Sequence, residues 1–148
     1  NNINKNYFLK KELIKPTKIY VNEVLNLSQN NLLIGCANIT GGGLADNIKR
    51  IIPKKLCANI DLNKIKTLKI FKWLKNNGIS DKEMLKTFNC GVGFCLLLTS
   101  HNLKQVEKFF STGFKQYVIG KIITSNTTVH INEKINCVYE TKYNCIYS

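Results

Sequence analysis

The stretch Leu32-Leu33-Ile34-Gly35-Cys36-Ala37-Asn38-Ile39-Thr40-Gly41-Gly42-Gly43-Leu44-Ala45-Asp46-Asn47-Ile48-Lys49-Arg50-Ile51-Ile52 decides the fold. Leu32–Ile39 is a short apolar run that reads as a buried strand. Three glycines stop it. Leu44, Ile48 and Ile51 then recur at helical spacing until Pro53 closes the segment. A strand, a glycine turn and a helix follow one another without a linker. Glycines 41–43 remove every Cβ from the turn, so its backbone can take positive φ and come close to a ligand. The helix that follows points its first N–H groups back at the turn, an arrangement suited to an anion. Thr40 adds a hydroxyl. Arg50, two turns into the helix, either reaches the same anion or pairs with Asp46 four residues before it. The same residues would equally serve a tight strand-to-helix turn packed against a neighbour, and this stretch alone leaves both readings open. A Walker loop is excluded, because the terminal Gly-Lys-Ser/Thr is missing.

Outward from this centre the pattern alternates. Pro16 precedes Thr17–Ser28, where Ile19, Val21, Val24, Leu25 and Leu27 predict an amphipathic helix. Leu56–Ile60 reads as a second strand. Lys66–Asn76 reads as a helix with Leu68, Phe71 and Leu74 inward and Gly78 as its stop. Ser80-Asp81-Lys82-Glu83 opens another helix with a capping box. Cys90–Thr99 is the most apolar strand. Gly91 and Gly93 at its start suggest close approach of another backbone, with Asn89 satisfying local amides. Asn102–Ser111 predicts a helix. Gln116–Thr124 and Thr128–Asn132 predict a hairpin through Ser125-Asn126. Residues 136–148 read as an edge strand or a loose end. The polar residues 1–15 read as an arm or linker remnant, and 16–148 as one domain. The expected class is α+β, a mixed β-sheet covered by α-helices.

Composition narrows the function. The chain has 148 residues, 44% of them hydrophobic, enough for one core. No apolar run approaches the roughly 18–20 residues of a membrane span. The formal charge is +13, but of 22 basic residues only Arg50 is arginine, and the lysines are scattered. That argues against a nucleic-acid binder, which clusters basic residues beside aromatic or base-reading partners. Six cysteines lack Cys-x-x-Cys spacing, and His101 and His130 have no partners at zinc spacing, so reduced structural cysteines are expected and no metal ligands. No nucleophile stands beside a base. The only methionine is Met84, so a piece of a longer chain or a trimmed one is expected.

Taken in order, several motifs resemble one family. They are Pro16-Thr17-Lys18-Ile19-Tyr20-Val21, Gly35-Cys36-Ala37-Asn38-Ile39-Thr40-Gly41-Gly42-Gly43-Leu44 and Asn47-Ile48-Lys49-Arg50-Ile51-Ile52-Pro53. Ile70-Phe71-Lys72-Trp73-Leu74, Glu83-Met84, Thr87-Phe88-Asn89-Cys90-Gly91-Val92-Gly93 and Tyr117-Val118-Ile119-Gly120-Lys121-Ile122 complete the set. From about Leu13 to Ile131 the chain resembles the C-terminal domain of aminoimidazole ribonucleotide synthetase, the phosphoribosylformylglycinamidine cyclo-ligase of purine biosynthesis. The resemblance implies the C-terminal-domain fold of that superfamily. It implies a cytoplasmic, homodimeric two-domain enzyme that uses ATP and magnesium to activate an amide oxygen of formylglycinamidine ribonucleotide before ring closure. ATP and Mg2+ would be held mainly by an N-terminal domain, with none expected tightly bound here and no metal ligands on this chain. The glycine turn would line the substrate cleft, so Thr40, Gly41, Gly42, Gly43 and Arg50 are the expected substrate- or phosphate-binding residues. Asn38 stands where the family commonly has His, making it the candidate catalytic position, and Lys18 stands where the family usually has Arg. Asn donates and accepts hydrogen bonds but does not titrate near neutral pH. The isolated chain is expected to be inactive. Related ATP-dependent enzymes of the superfamily (selenophosphate synthetase, thiamine monophosphate kinase, a hydrogenase maturation factor, formylglycinamidine ribonucleotide synthetase) and a non-catalytic binding or assembly module are the alternatives.

Overall fold

A computed structural model describes residues 8–110, 113–124, 135–138 and 144–146, the last two segments as backbone only. The chain order is a wide π turn at Phe8–Glu12, α1 (Val21–Gln29), β1 (Gly35–Asn38), α2 (Gly43–Lys49), β2 (Leu56–Asp61), α3 (Lys69–Asn76), α4 (Asp81–Thr87), β3 (Phe94–Leu97), α5 (Leu103–Val106), β4 (Gly120–Thr124), β5 (Ile135–Val138) and β6 (Asn144–Ile146). Short 3-10 turns flank α5 on both sides. The class is α+β, as the pattern predicts.

Two sheets organise the molecule. β1 and β3 form an antiparallel ribbon, with Ala37 opposite Cys95 and Asn38 opposite Phe94. The other sheet runs β4-β2-β5-β6. Its central strand β2 pairs antiparallel with β4 and parallel with β5, so the sheet is mixed. β6 pairs antiparallel with β5 and ends the order, which gives the final stretch its edge strand. β4 therefore finds its partner in β2, sixty residues back. The second arm of the expected hairpin, Thr128–Asn132, and its turn at Ser125-Asn126 lie outside the described residues.

The ribbon separates two cores, because side chains alternate across a strand. Ala37, Ile39 and Cys95 join Leu44, Ile48, Ile52, Ala58, Ile60, Leu62, Met84, Leu85, Cys90 and Val92 in the larger cluster. Leu33, Leu96 and Leu98 face the smaller one, built on Leu27, Leu32 and Val106. The thiols of Cys36, Cys90 and Cys95 are free, and Cys57, Cys90 and Cys95 are buried.

Four segments differ from the sequence pattern. First, α1 starts at Val21, not Thr17, and it buries Leu27 while Ile19, Val21 and Leu25 are exposed. Tyr20 explains this. Its ring lies 5.1 Å from that of Phe94 and 5.5 Å from that of Phe114, while the Lys18 ammonium donates to the Gly113 carbonyl. The preceding residues are thus strapped across the fold outside any helix. Second, α3 starts at Lys69, and Leu68 is exposed, leaving Phe71 and Leu74 to pack on the core. Third, the strand expected from Cys90 begins only at Phe94, because Cys90 and Gly91 form a turn with φ of 51° and 100°. Asn89 does cap that turn, its Oδ1 accepting from the Gly91 N–H at 3.0 Å. Fourth, the helix expected over Asn102–Ser111 is α over Leu103–Val106 only. By contrast, Ser80 caps α4 as its sequence predicts, accepting from the Glu83 N–H at 3.2 Å. The box is half made, since the Glu83 carboxylate accepts from Thr87 instead of reaching back.

Gly91 does meet another backbone, a Cβ there standing 3.2 Å from the Lys66 carbonyl oxygen, whereas Gly93 meets a side chain. A Cβ there would stand 2.0 Å from the Tyr20 hydroxyl oxygen and 3.0 Å from its ring carbon. Gly93→Ala should therefore lower the urea unfolding midpoint sharply, and Tyr20→Phe in that background should recover part of the loss, as a double-mutant cycle will show. The buried thiols add a pH signature. Burial pushes Cys95 up from 9.0 to about 12, and burial followed by the Asp81 carboxylate pushes Cys90 up to about 11. A pKa raised in the folded state contributes stability that is intact below the unfolded value and is lost as pH climbs toward the folded one. Urea midpoints should hold to about pH 9 and fall steadily from there to about pH 11. Cys90→Ala/Cys95→Ala should flatten that decline.

Candidate functional site

The glycine turn hangs between β1 and α2. Ile39 donates its N–H to the Gly93 carbonyl at 3.0 Å, prolonging the ribbon ladder by one bond and fixing where the turn begins. The Gly43 N–H then donates to the Thr40 carbonyl at 3.2 Å and closes the reversal.

The three glycines have three different jobs. Gly43, at φ 63°, is a packing requirement: a Cβ there would lie 2.0 Å from the Leu85 carbonyl oxygen on α4. Gly42, at φ 90°, meets a conformational requirement, because an L side chain rarely adopts that backbone. Gly41 has no such reason. It is exposed, its φ is ordinary, and a Cβ there would meet nothing within 4 Å. The tight-turn reading holds at Gly43, which packs against a neighbour, while Gly41 leaves open backbone on the outside.

Asn38, Thr40 and Gly41 are exposed, Gly42 is half-buried and Gly43 is buried. Arg50 is exposed at the C-terminal end of α2. Its Nη1 donates to Asn47 Oδ1 at 3.5 Å, so the alternative of an Asp46–Arg50 pair is not what forms. Asp46 sits beside Gly42 instead, with a carboxylate oxygen 3.2 Å from where a Gly42 Cβ would stand. That acid already answers the positive end of a seven-residue helix, and an incoming anion would meet its charge on that side. The free approach to the turn is over Thr40, Gly41 and the outer face of Gly42.

The sequence reading missed Asn47. It is 4% exposed, and its Nδ2 donates to Gly43 O at 2.7 Å and to Gly41 O at 3.2 Å. A signal was present: Asn47 falls three residues after Leu44 and beside Ile48, a polar residue on the apolar stripe. A buried carboxamide on such a stripe needs partners, and a turn of bare carbonyls supplies them.

Two cavities lie away from the turn. One, about 530 Å³ and open, is lined by His101, Lys104, Gln105, Lys108 and Phe109. The other, about 190 Å³, lies between α3 and α4 under the Lys75–Asp81 ion pair. Among the described residues, no three His, Cys, Asp or Glu side chains gather to hold a metal. Beside the turn Asp46 offers a single carboxylate. The turn's donor set suits a ligand oxygen and does not fit a magnesium site, which calls for oxygen ligands in octahedral array.

Fold and turn together define an α+β domain that presents a glycine-built strand-to-helix surface. Residues 4–132 match the family described as AIR synthase related protein, C-terminal domain, and the chain belongs to that family. It is 42% identical over 127 residues to the phosphoribosylformylglycinamidine cyclo-ligase of Carboxydothermus hydrogenoformans, covering 84% of this chain and 37% of that protein. It is 41% identical over 121 residues to the trifunctional purine biosynthetic protein adenosine-3 of Chironomus tentans, covering 80% of this chain and 9% of the relative. A bifunctional purine biosynthetic protein of Pichia angusta is 40% identical over 114 residues, 76% of this chain and 14% of its own length. The chain thus spans well under half of each of these relatives.

The division of labour among the glycines predicts opposite outcomes. Gly43→Ala should destabilise the domain by about 4 kcal/mol or more, since neither backbone can retreat. Gly41→Ala should change the unfolding free energy by less than about 0.5 kcal/mol. Chemical denaturation of the two variants beside the parent checks both.

Proposed function

We propose that this chain is the C-terminal domain of a phosphoribosylformylglycinamidine cyclo-ligase of purine biosynthesis, forming aminoimidazole ribonucleotide from formylglycinamidine ribonucleotide in an ATP-dependent ring closure. The observation that carries the reading is the 42% identity over 127 residues to a protein of that name. The relatives' greater length supports an N-terminal partner domain. The whole enzyme is a cytoplasmic homodimer in this reading. Magnesium-ATP belongs to the partner domain, because the donors beside the glycine turn suit a substrate oxygen and not a metal. When bound there, ATP supplies the phosphoryl group that turns the substrate's amide oxygen into a leaving group.

The residues of this chain bind and orient. Thr40 and the outward N–H of Gly42 donate to substrate oxygen, and exposed Gly41 lets the substrate come close to the main chain. Arg50, at the C-terminal end of α2, holds Asn47. Asn38, exposed at the end of β1, positions the substrate through hydrogen bonds and does not carry a proton, since a carboxamide has no titration near neutrality.

The test uses the full-length protein with formylglycinamidine ribonucleotide, ATP and magnesium. Ring closure is expected, and its absence overturns the reading. Asn38→His should leave the rate within about threefold and introduce no new ionisation near pH 6.5. A gain of about a hundredfold with such an ionisation would assign proton transfer to this position. This chain alone should show no turnover in the same assay.

A further inference from the structure

We propose that Asn47 is a positioning residue for the glycine turn: by holding the Gly41 carbonyl inward, it aims the Gly42 N–H outward at a substrate oxygen. The inference rests on the reading that the turn faces the nucleotide substrate, and it adds a residue that does not touch that substrate.

The geometry begins with the carboxamide. Asn47 is the one polar residue buried as a whole among the described residues, at 4% exposure. Its Nδ2 bond to Gly43 O, 2.7 Å, spans four residues and follows the helix. Its bond to Gly41 O, 3.2 Å, spans six and leaves the helix for the turn. The orientation of the amide is settled by its partners. The opposite assignment would set Oδ1 against two carbonyl oxygens and present an NH2 group to the Arg50 guanidinium, which only donates.

A trans peptide then carries that orientation to the other side of the turn. The chain has no cis bond among its described residues, so the Gly41–Gly42 unit is planar with its C=O and N–H antiparallel. With the Gly41 carbonyl pulled toward the interior, the Gly42 N–H points away from it. The neighbouring donor is already used, since the Gly43 N–H is bonded to Thr40 O. Gly42 holds this unit at φ 90°, a conformation that bare glycine visits along with several others. The Thr40–Gly43 turn bond with Gly42 in the left-handed region is the type II form of the reversal, and the Asn47 bond is the side-chain hydrogen bond that holds its central peptide in that orientation.

The decisive measurement is steady-state kinetics of full-length Asn47→Ala and Asn47→Ser. Serine keeps a helix-internal bond to the carbonyl four residues back but cannot span to Gly41, so it removes the turn bond while sparing the helix. Both variants should raise KM for the nucleotide about tenfold, the effect of one lost hydrogen bond, with kcat within about threefold. A merely structural role would lower apparent kcat in proportion to the folded fraction and leave KM unchanged. That outcome, in the serine variant with its fold verified by circular dichroism, overturns the proposal. A wild-type protein that does not close the ring overturns the functional reading and this inference with it. An active wild type beside a serine variant of unchanged KM overturns this inference alone.

Discussion

The contact between Gly43 and the Leu85 carbonyl governs the placement of everything around the site. At 2.0 Å from that oxygen there is no room for even a methyl group, so α2 and α4 approach as only a glycine allows. The approach fixes the start of α2, and with it the end of the turn. α4 is itself held by elements remote from the turn. The chain reverses after α3 at Gly78, with φ 98°, Ser80 caps the new helix, and Lys75 bridges to Asp81 at 2.6 Å. Met84 and Leu85 then bring α4 into the core. The surface offered to a ligand is in this sense built from beneath, by residues no ligand touches.

A second close approach fixes the other end. Tyr20 lies against bare Gly93, whose carbonyl accepts from Ile39 at the last rung before the turn. Gly43 and Gly93 are far apart in sequence, yet they bracket the same five residues. Between these two fixed ends the backbone has latitude only at Gly41 and Gly42, where Asn47 acts. Rigidity at both ends and a single side chain in the middle is an economical way to define a surface made of main chain.

Much of this could be read from residues alone, and the failures share a cause. The strand, the glycines and α2 follow from apolar spacing and a local stop, and the Ser80 cap and the Asn89 turn follow from side chains that bond within three residues. Those are local interactions. Where the pattern misleads, a distant partner decides. Thr17–Tyr20 has helical spacing but is drawn out by Phe94, Phe114 and Gly113. Cys90 to Val92 is apolar enough for a strand, yet packs into the core as a turn with positive φ. The parallel pairing of β2 with β5 carries no local mark. At the site, the exposed glycine and the nearby hydroxyl were legible. The different duties of the three glycines were not, because Leu85, forty-two residues on, assigns them.

The ribbon of β1 and β3 lines one core with one set of alternate residues and the other core with the other set, and this shapes how the sequence is free to drift. Ala37 and Cys95 face each other across the ribbon, both small and both in the larger core. A larger side chain at either position would press into that core beside its cross-ribbon neighbour. Bulk added at one of these positions is accommodated only where the other gives way, which ties together two residues far apart in the chain.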